Sequence, residues 1–165
     1  MREATRQAAT YAALSLAVVL ALPALYLQVR PQWVALRGAE RAFDTGDLPL
    51  AARLYRKAGE LGFDLSPVLP RVGDAYIATG ALDQALPVFS TLLERDPDNQ
   101  TVRLKLAELL ARDGRHAQAL EQVDLALAVY PNWRTALYMR ARILTFAGRF
   151  AEAIATYQTM LGAQP

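Results

Sequence analysis

The chain has 165 residues, 53% of them hydrophobic, and a formal charge of +2 from 18 basic and 16 acidic side chains spread along its length. That length suits one ordinary domain, and the dispersed charge leaves no basic stripe of the kind that tracks a phosphate backbone, so nucleic acid is not expected as a partner. The lack of cysteine excludes structural disulfides, thiolate zinc sites and cysteine nucleophiles together.

The first feature along the chain is an uncharged run. From Gln7 to Val29 the only ionisable side chains are Tyr11 and Tyr26. As a helix, Ala8 to Val29 would span about 33 Å, which matches a hydrocarbon core of roughly 30 Å. The two tyrosines fall near its ends, where an amphipathic ring favours the headgroup level, and Arg6 and Arg30 bracket it. Residues 1–30 are therefore expected to form an N-terminal signal-anchor transmembrane helix, kinked at Pro23. Cleavage as a secretory signal fits less well, because the best small-residue pair, Val19 and Ala21, sits inside the apolar run. Ala9, Ala13, Ala17 and Ala21 recur every four residues and form a stripe against which another membrane helix could pack closely. Bases are balanced at the two ends, so orientation rests on the short basic leader of Arg2 and Arg6. It favours a single-pass protein of the inner (cytoplasmic) membrane with the rest of the chain facing the periplasm.

Beyond residue 30 a fixed period takes over. Gly46, Gly80, Gly114 and Gly148 stand 34 residues apart, and Ala51, Ala85, Ala119 and Ala153 repeat that interval five positions later. The register divides the chain into segments of about 31–65, 66–99, 100–132 and 133–165, each reading as two amphipathic helices joined at a glycine. Small residues seven positions before each glycine (Ala39, Gly73, Ala107, Ala141) let paired helices cross closely. Larger groups at Tyr55, Phe89, Val123 and Tyr157 fill the space between units. Pro97, Pro131 and Pro165 end three of the second helices, since proline cannot continue them. Pro87 falls inside a second helix and should weaken one backbone hydrogen bond.

This combination, most complete in Gly73, Tyr76, Gly80, Ala85, Phe89 and Pro97, resembles the tetratricopeptide repeat (TPR) family over most of the chain. The first segment departs from it, with Phe63 where the family expects proline. The resemblance implies an all-α fold, in which the transmembrane helix is followed by a right-handed α-solenoid of four helix pairs whose concave face binds peptides or partner helices. Carried onto this chain, that face takes Leu36, Arg37, Glu40 and Phe43 from the first segment and Arg71, Asp74 and Ile77 from the second. It takes Leu104, Lys105 and Glu108 from the third, and Tyr138, Arg142 and Phe146 from the fourth.

Two charged columns run through this face. Arg37, Arg71 and Lys105 repeat at the 34-residue interval, and Glu40, Asp74 and Glu108 repeat three positions on. They form either a charged track that reads a partner or self-neutralised pairs, since base and acid three apart on a helix are neighbours. The family's carboxylate clamp is similar in placement but uses asparagines where this chain has Glu40 and Asp74, so its capture of a chaperone tail is not carried over. The apolar members suit a partner helix or a hydrophobic tail.

The sequence carries no HExxH, GxGxxG or phosphate-loop spacing, and its one histidine, His116, follows a repeat glycine where the family packs a side chain. Catalysis, cofactors, metals and small-molecule substrates are not expected. Met160 and Leu161, in the last helix of the fourth segment, are expected either to face a partner or to be covered by a further part of a longer chain. The expected function is a membrane-anchored scaffold that binds a membrane or envelope protein and helps assemble a complex. One alternative is a permanent accessory subunit of a membrane enzyme complex, held by its transmembrane helix; another is a soluble periplasmic adaptor released by signal cleavage.

Overall fold

A computed structural model describes Leu22 and residues 30–162. The expected membrane segment, Leu22 aside, lies outside the described residues, and so do Ala9, Ala13, Ala17 and Ala21. Among the described residues no helix is long and apolar enough to cross a membrane. They form α1 (Pro31–Asp44), α2 (Leu48–Glu60), α3 (Leu69–Thr79), α4 (Leu82–Arg95), α5 (Gln100–Arg112), α6 (His116–Val129), α7 (Arg134–Phe146) and α8 (Phe150–Gly162), with a single 3-10 turn, Ser66–Val68, before α3.

Each first helix ends at a left-handed glycine. Gly46, Gly80, Gly114 and Gly148 have φ of 82°, 72°, 80° and 74°, a region where a side chain would collide with the backbone. The residue after each glycine donates its N–H to a carbonyl five positions back: Asp47 to Ala42 at 2.8 Å, Ala81 to Tyr76 at 3.0 Å, Arg115 to Leu110 at 2.9 Å and Arg149 to Leu144 at 2.8 Å. These bonds satisfy carbonyls left open at the helix end and turn the chain back within a few residues. The second helices stop by another device. Pro97 and Pro131 keep the residues before them, Asp96 and Tyr130, out of the helical region, with φ of −136° and −128° and ψ of 78° and 81°. Pro87 does not break α4, which runs through it with the ring exposed to solvent.

The chain divides into two compact units, Met1–Pro67 and Val68–Pro165. In the first, α1 packs on α2 through alanines: Ala35, Ala39, Ala42, Ala51, Ala52 and Ala58 are buried, and Tyr55 is buried with them. The Tyr55 hydroxyl donates to the Glu40 carboxylate, so the ring is buried with its polar tip satisfied. Phe63 meets the edge of Trp33, with ring centroids 4.9 Å apart.

In the second unit the helices pair as α3/α4, α5/α6 and α7/α8, and the pairs stack through α4 on α5 and α6 on α7. This is the stacking of a helical repeat array, in which each pair buries a face it cannot bury alone. The largest fully buried side chains here are Phe89, Leu109, Ile143, Leu144, Val72 and Val123.

Three helices of this unit are also tied by one arginine. Arg140 on α7 donates from Nε to Asp124 on α6 at 2.7 Å and from Nη1 to the buried Thr156 on α8 at 2.7 Å. Arg140→Ala should lower unfolding stability by about 1 to 2 kcal/mol, as charge-assisted hydrogen bonds are lost and the Thr156 hydroxyl loses a donor. Arg140→Lys should recover only part of it, because an ammonium lacks the planar fork that reaches both acceptors. Denaturant unfolding of the three forms checks this; equal stability of Arg140→Ala and the native chain would refute it.

Candidate functional site

The first helices of the second unit, α3, α5 and α7, carry the residues expected to meet a partner. Asp74 on α3 and Lys105 on α5 form an ion pair at 2.6 Å, each side chain 41% exposed. The columns are therefore neutralised between successive repeats at this rung. Lys105 does not pair with Glu108 on its own helix, as the three-residue spacing allowed. The Lys105 ammonium also stands 5.6 Å from the centre of the Phe89 ring. A half-exposed pair of this kind is worth under about 1 kcal/mol; its main effect is to remove net charge from the face.

The next rung is missing. In the 34-residue register the base column passes from Lys105 to Met139, and the acid column passes from Glu108 to Arg142. Glu108 accordingly makes no hydrogen bond or ion pair among the described residues. At that break lies a cleft of about 420 Å³ lined by Glu108, Ala111, Arg112 and Gly114 from α5 and its turn, His116 from α6, and Met139, Arg142, Ile143 and Phe146 from α7. Ile143 supplies a buried apolar floor, and Phe146 rises beside it with 66% of its surface open to solvent. Arg142 lies over the Tyr138 ring, 5.7 Å from its centre, and Tyr138 in turn tilts against Tyr157 at 6.5 Å.

Three of the expected partner residues, Glu108, Arg142 and Phe146, thus come together in one cleft, with Tyr138 touching its rim through Arg142. Others are placed differently. Leu36 and Leu104, expected to line the groove, are core residues at 9% and 5% exposure, because their side chains turn inward with the buried alanines of their own helices. Ile77 and Arg71 are half-buried on α3, as is Lys105 on α5. In the first unit Arg37 is exposed, Phe43 is half-buried and Glu40 accepts the Tyr55 hydroxyl. His116, read as a packing residue, lines the cleft instead. Arg112 and Met139 were not singled out from the sequence. The break in the two columns at Met139 and Arg142 is the signal that finds Met139; Arg112 lies outside both columns.

A larger depression of about 760 Å³ lies between Asp98–Thr101, which lead into the start of α5, and the stretch Val129–Trp133. Tyr130 and Trp133 meet edge to face there, with centroids 6.0 Å apart. Its one charged side chain is Asp98, and none of the residues expected to meet a partner lines it. At the turn into α8, the Arg149 guanidinium donates two hydrogen bonds of 2.6 Å to Glu152, and these hold the Glu152 carboxyl below its ordinary range. That pair is exposed and steadies the start of α8. α8 also carries apolar side chains at its surface: Phe150, Ile154 and Leu161 are exposed and Met160 is half-buried. Among the described residues no cluster of three or more His, Cys, Asp or Glu could hold a metal ion.

Comparison with known proteins agrees with this architecture. The tetratricopeptide repeat family matches residues 76–143 and again residues 135–165. A tetratricopeptide repeat and J domain-containing co-chaperone of Cryptococcus neoformans is 27% identical over 136 residues, 82% of this chain and 22% of that protein. A type VI secretion system accessory component, TagJ of Pseudomonas aeruginosa, is 30% identical over 105 residues, 59% of this chain and 37% of that protein. The chain thus spans well under half of these relatives. Among solved structures, MamA from AMB-1 is 25% identical with a TM-score of 0.66, over 79% of this chain and 71% of that one. YrrB, described as a TPR protein with an unusual peptide-binding site, is 17% identical with a TM-score of 0.72, over 95% and 81% of the two chains. By the repeat match, the glycine-turned helix pairs and these neighbours, the chain belongs to the tetratricopeptide repeat family and is a protein-interaction scaffold of that fold.

Proposed function

We propose that this scaffold is held at the inner membrane by residues 1–30, that its repeats face the periplasm, and that it grips a segment of a membrane or envelope protein in the cleft between α5 and α7. The observation that carries the proposal is the cleft itself. It gathers Glu108, Arg142 and Phe146 around a buried apolar floor, and exposed aromatic surface beside unpaired charge is what a partner-binding site offers. The uncharged run from Gln7 to Val29 supports the anchoring. An assembly role is in keeping with the likeness to a secretion accessory component and to a co-chaperone.

Affinity purification of the full-length chain in mild detergent tests both parts. Tyr138→Ala together with Phe146→Ala should reduce recovery of the captured partner at least tenfold while leaving helical content unchanged. Undiminished capture by that variant would sink the cleft as the binding site. A second reading, a permanent accessory subunit held through the membrane helix, rests on the stripe of Ala9, Ala13, Ala17 and Ala21. On that reading Ala13→Leu with Ala17→Leu would abolish capture and the cleft variant would not. The third reading, a soluble adaptor freed by signal cleavage, requires an intact mass that lacks residue 1.

A further inference from the structure

Where the rung between Asp74 and Lys105 is intact, acid and base cancel and the face offers a partner no net charge. In the fourth repeat the base and acid columns hold Met139 and Arg142 in place of a base and an acid. The exchange removes one positive charge at position 139 and converts a negative charge to a positive one at 142. Arg112 adds a second guanidinium to the same cleft, and among the described residues it makes no hydrogen bond or ion pair. The cleft therefore presents two guanidinium groups against the single carboxylate of Glu108, with the His116 imidazole on its wall. Its floor and one side are Met139, Ile143 and Phe146. A cleft with low-dielectric apolar walls focuses the field of those cations on an anion that enters it.

We propose that the occupant of the α5/α7 cleft is a peptide segment in which an Asp or Glu side chain lies within a few residues of an aromatic or large aliphatic one. The carboxylate meets Arg142 and Arg112, which can each offer a pair of parallel N–H donors, and the apolar side chain seats on Met139, Ile143 and Phe146. Lysine-rich segments are rejected by the same two arginines. This rests on the α5/α7 cleft being the partner site, and it adds the chemistry of what that site selects.

The test is selection of a displayed library of random twelve-residue peptides on the immobilised full-length chain in mild detergent. Selected peptides should be enriched in Asp or Glu near Phe, Leu, Ile or Met, and their binding should weaken as salt is raised. Arg112→Gln with Arg142→Gln should reduce their affinity at least tenfold. Arg142→Glu, which restores the repeating acid column, should turn the preference towards Lys and Arg; a lesion that merely loosened the fold would weaken all peptides without reversing their sign. Enriched peptides without acids, or a preference unchanged in Arg142→Glu, would overturn the proposal and leave the cleft standing as a site. Failure to enrich any peptide overturns it too. If partner capture were also indifferent to Phe146, the cleft itself would fall with it.

Discussion

Replacing Gly73 by Ala should destabilise the second unit, although alanine is the better helix former by about 1 kcal/mol. An added Cβ would stand 2.7 Å from Cε2 and 2.9 Å from Cζ of the Phe89 ring, and 3.2 Å from Cγ1 of Val88. Phe89 is 1% exposed, so the ring has no solvent into which to swing. Overpacking of a filled core costs roughly 1 to 3 kcal/mol, which outweighs the gain in propensity. The pair should also show coupling: Phe89→Leu makes room for the methyl group, and the double variant should lose clearly less than the sum of the two single losses. Denaturant unfolding of the four forms measures this. A Gly73→Ala variant as stable as the native chain would show that α3 and α4 can move apart at no cost.

Leu144→Ala should have a larger effect, about 3 to 4 kcal/mol within the 2 to 5 kcal/mol range for emptied leucine sites. Leu144 is completely buried in α7, a helix that packs against α6 and α8 and touches α5. A cavity at that position is walled by several helices and cannot readily collapse. Repeat arrays distribute stability through neighbouring pairs, so hydrogen exchange should show α7 and α8 losing protection first and α1 and α2 least. Phe146, two residues further on, is the control. It is largely exposed, and Phe146→Ala should change stability by less than about 0.5 kcal/mol. If both substitutions destabilised equally, Phe146 would be a core residue and could not serve as free contact surface.

Much of the architecture was legible because the period is written in residues with narrow conformational use. A glycine every 34 positions marks a left-handed turn that other residues resist, and Pro97 and Pro131 mark helix ends. The small residue of each unit marks a close crossing, seen most directly where Gly73 faces Phe89. The site was less legible, for a geometric reason. Family register assigns a helix position to a face, but which side of a residue meets its neighbours is set by packing, and Leu36 and Leu104 are buried in the core. Charge pairing was misplaced similarly. The three-residue spacing suggested pairs within one helix, whereas the long Lys105 side chain reaches across to α3. His116 was assigned to packing and Arg112 to no site, because a cleft between two helix pairs is a property of their stacking, and no single repeat contains it.

The missing rung also has a mechanical side. On one face of α7, Arg140 bolts it to α6 and α8. On the face towards α5, among the described residues, no ion pair spans the joint as Lys105 spans the one between α5 and α3. α7 is thus held from behind by its own pair and by α6, while its side towards α5 carries no strut of its own. A segment entering between α5 and α7 would act as a removable brace, replacing the strut that the repeat left out and stiffening the far end of the array when it binds.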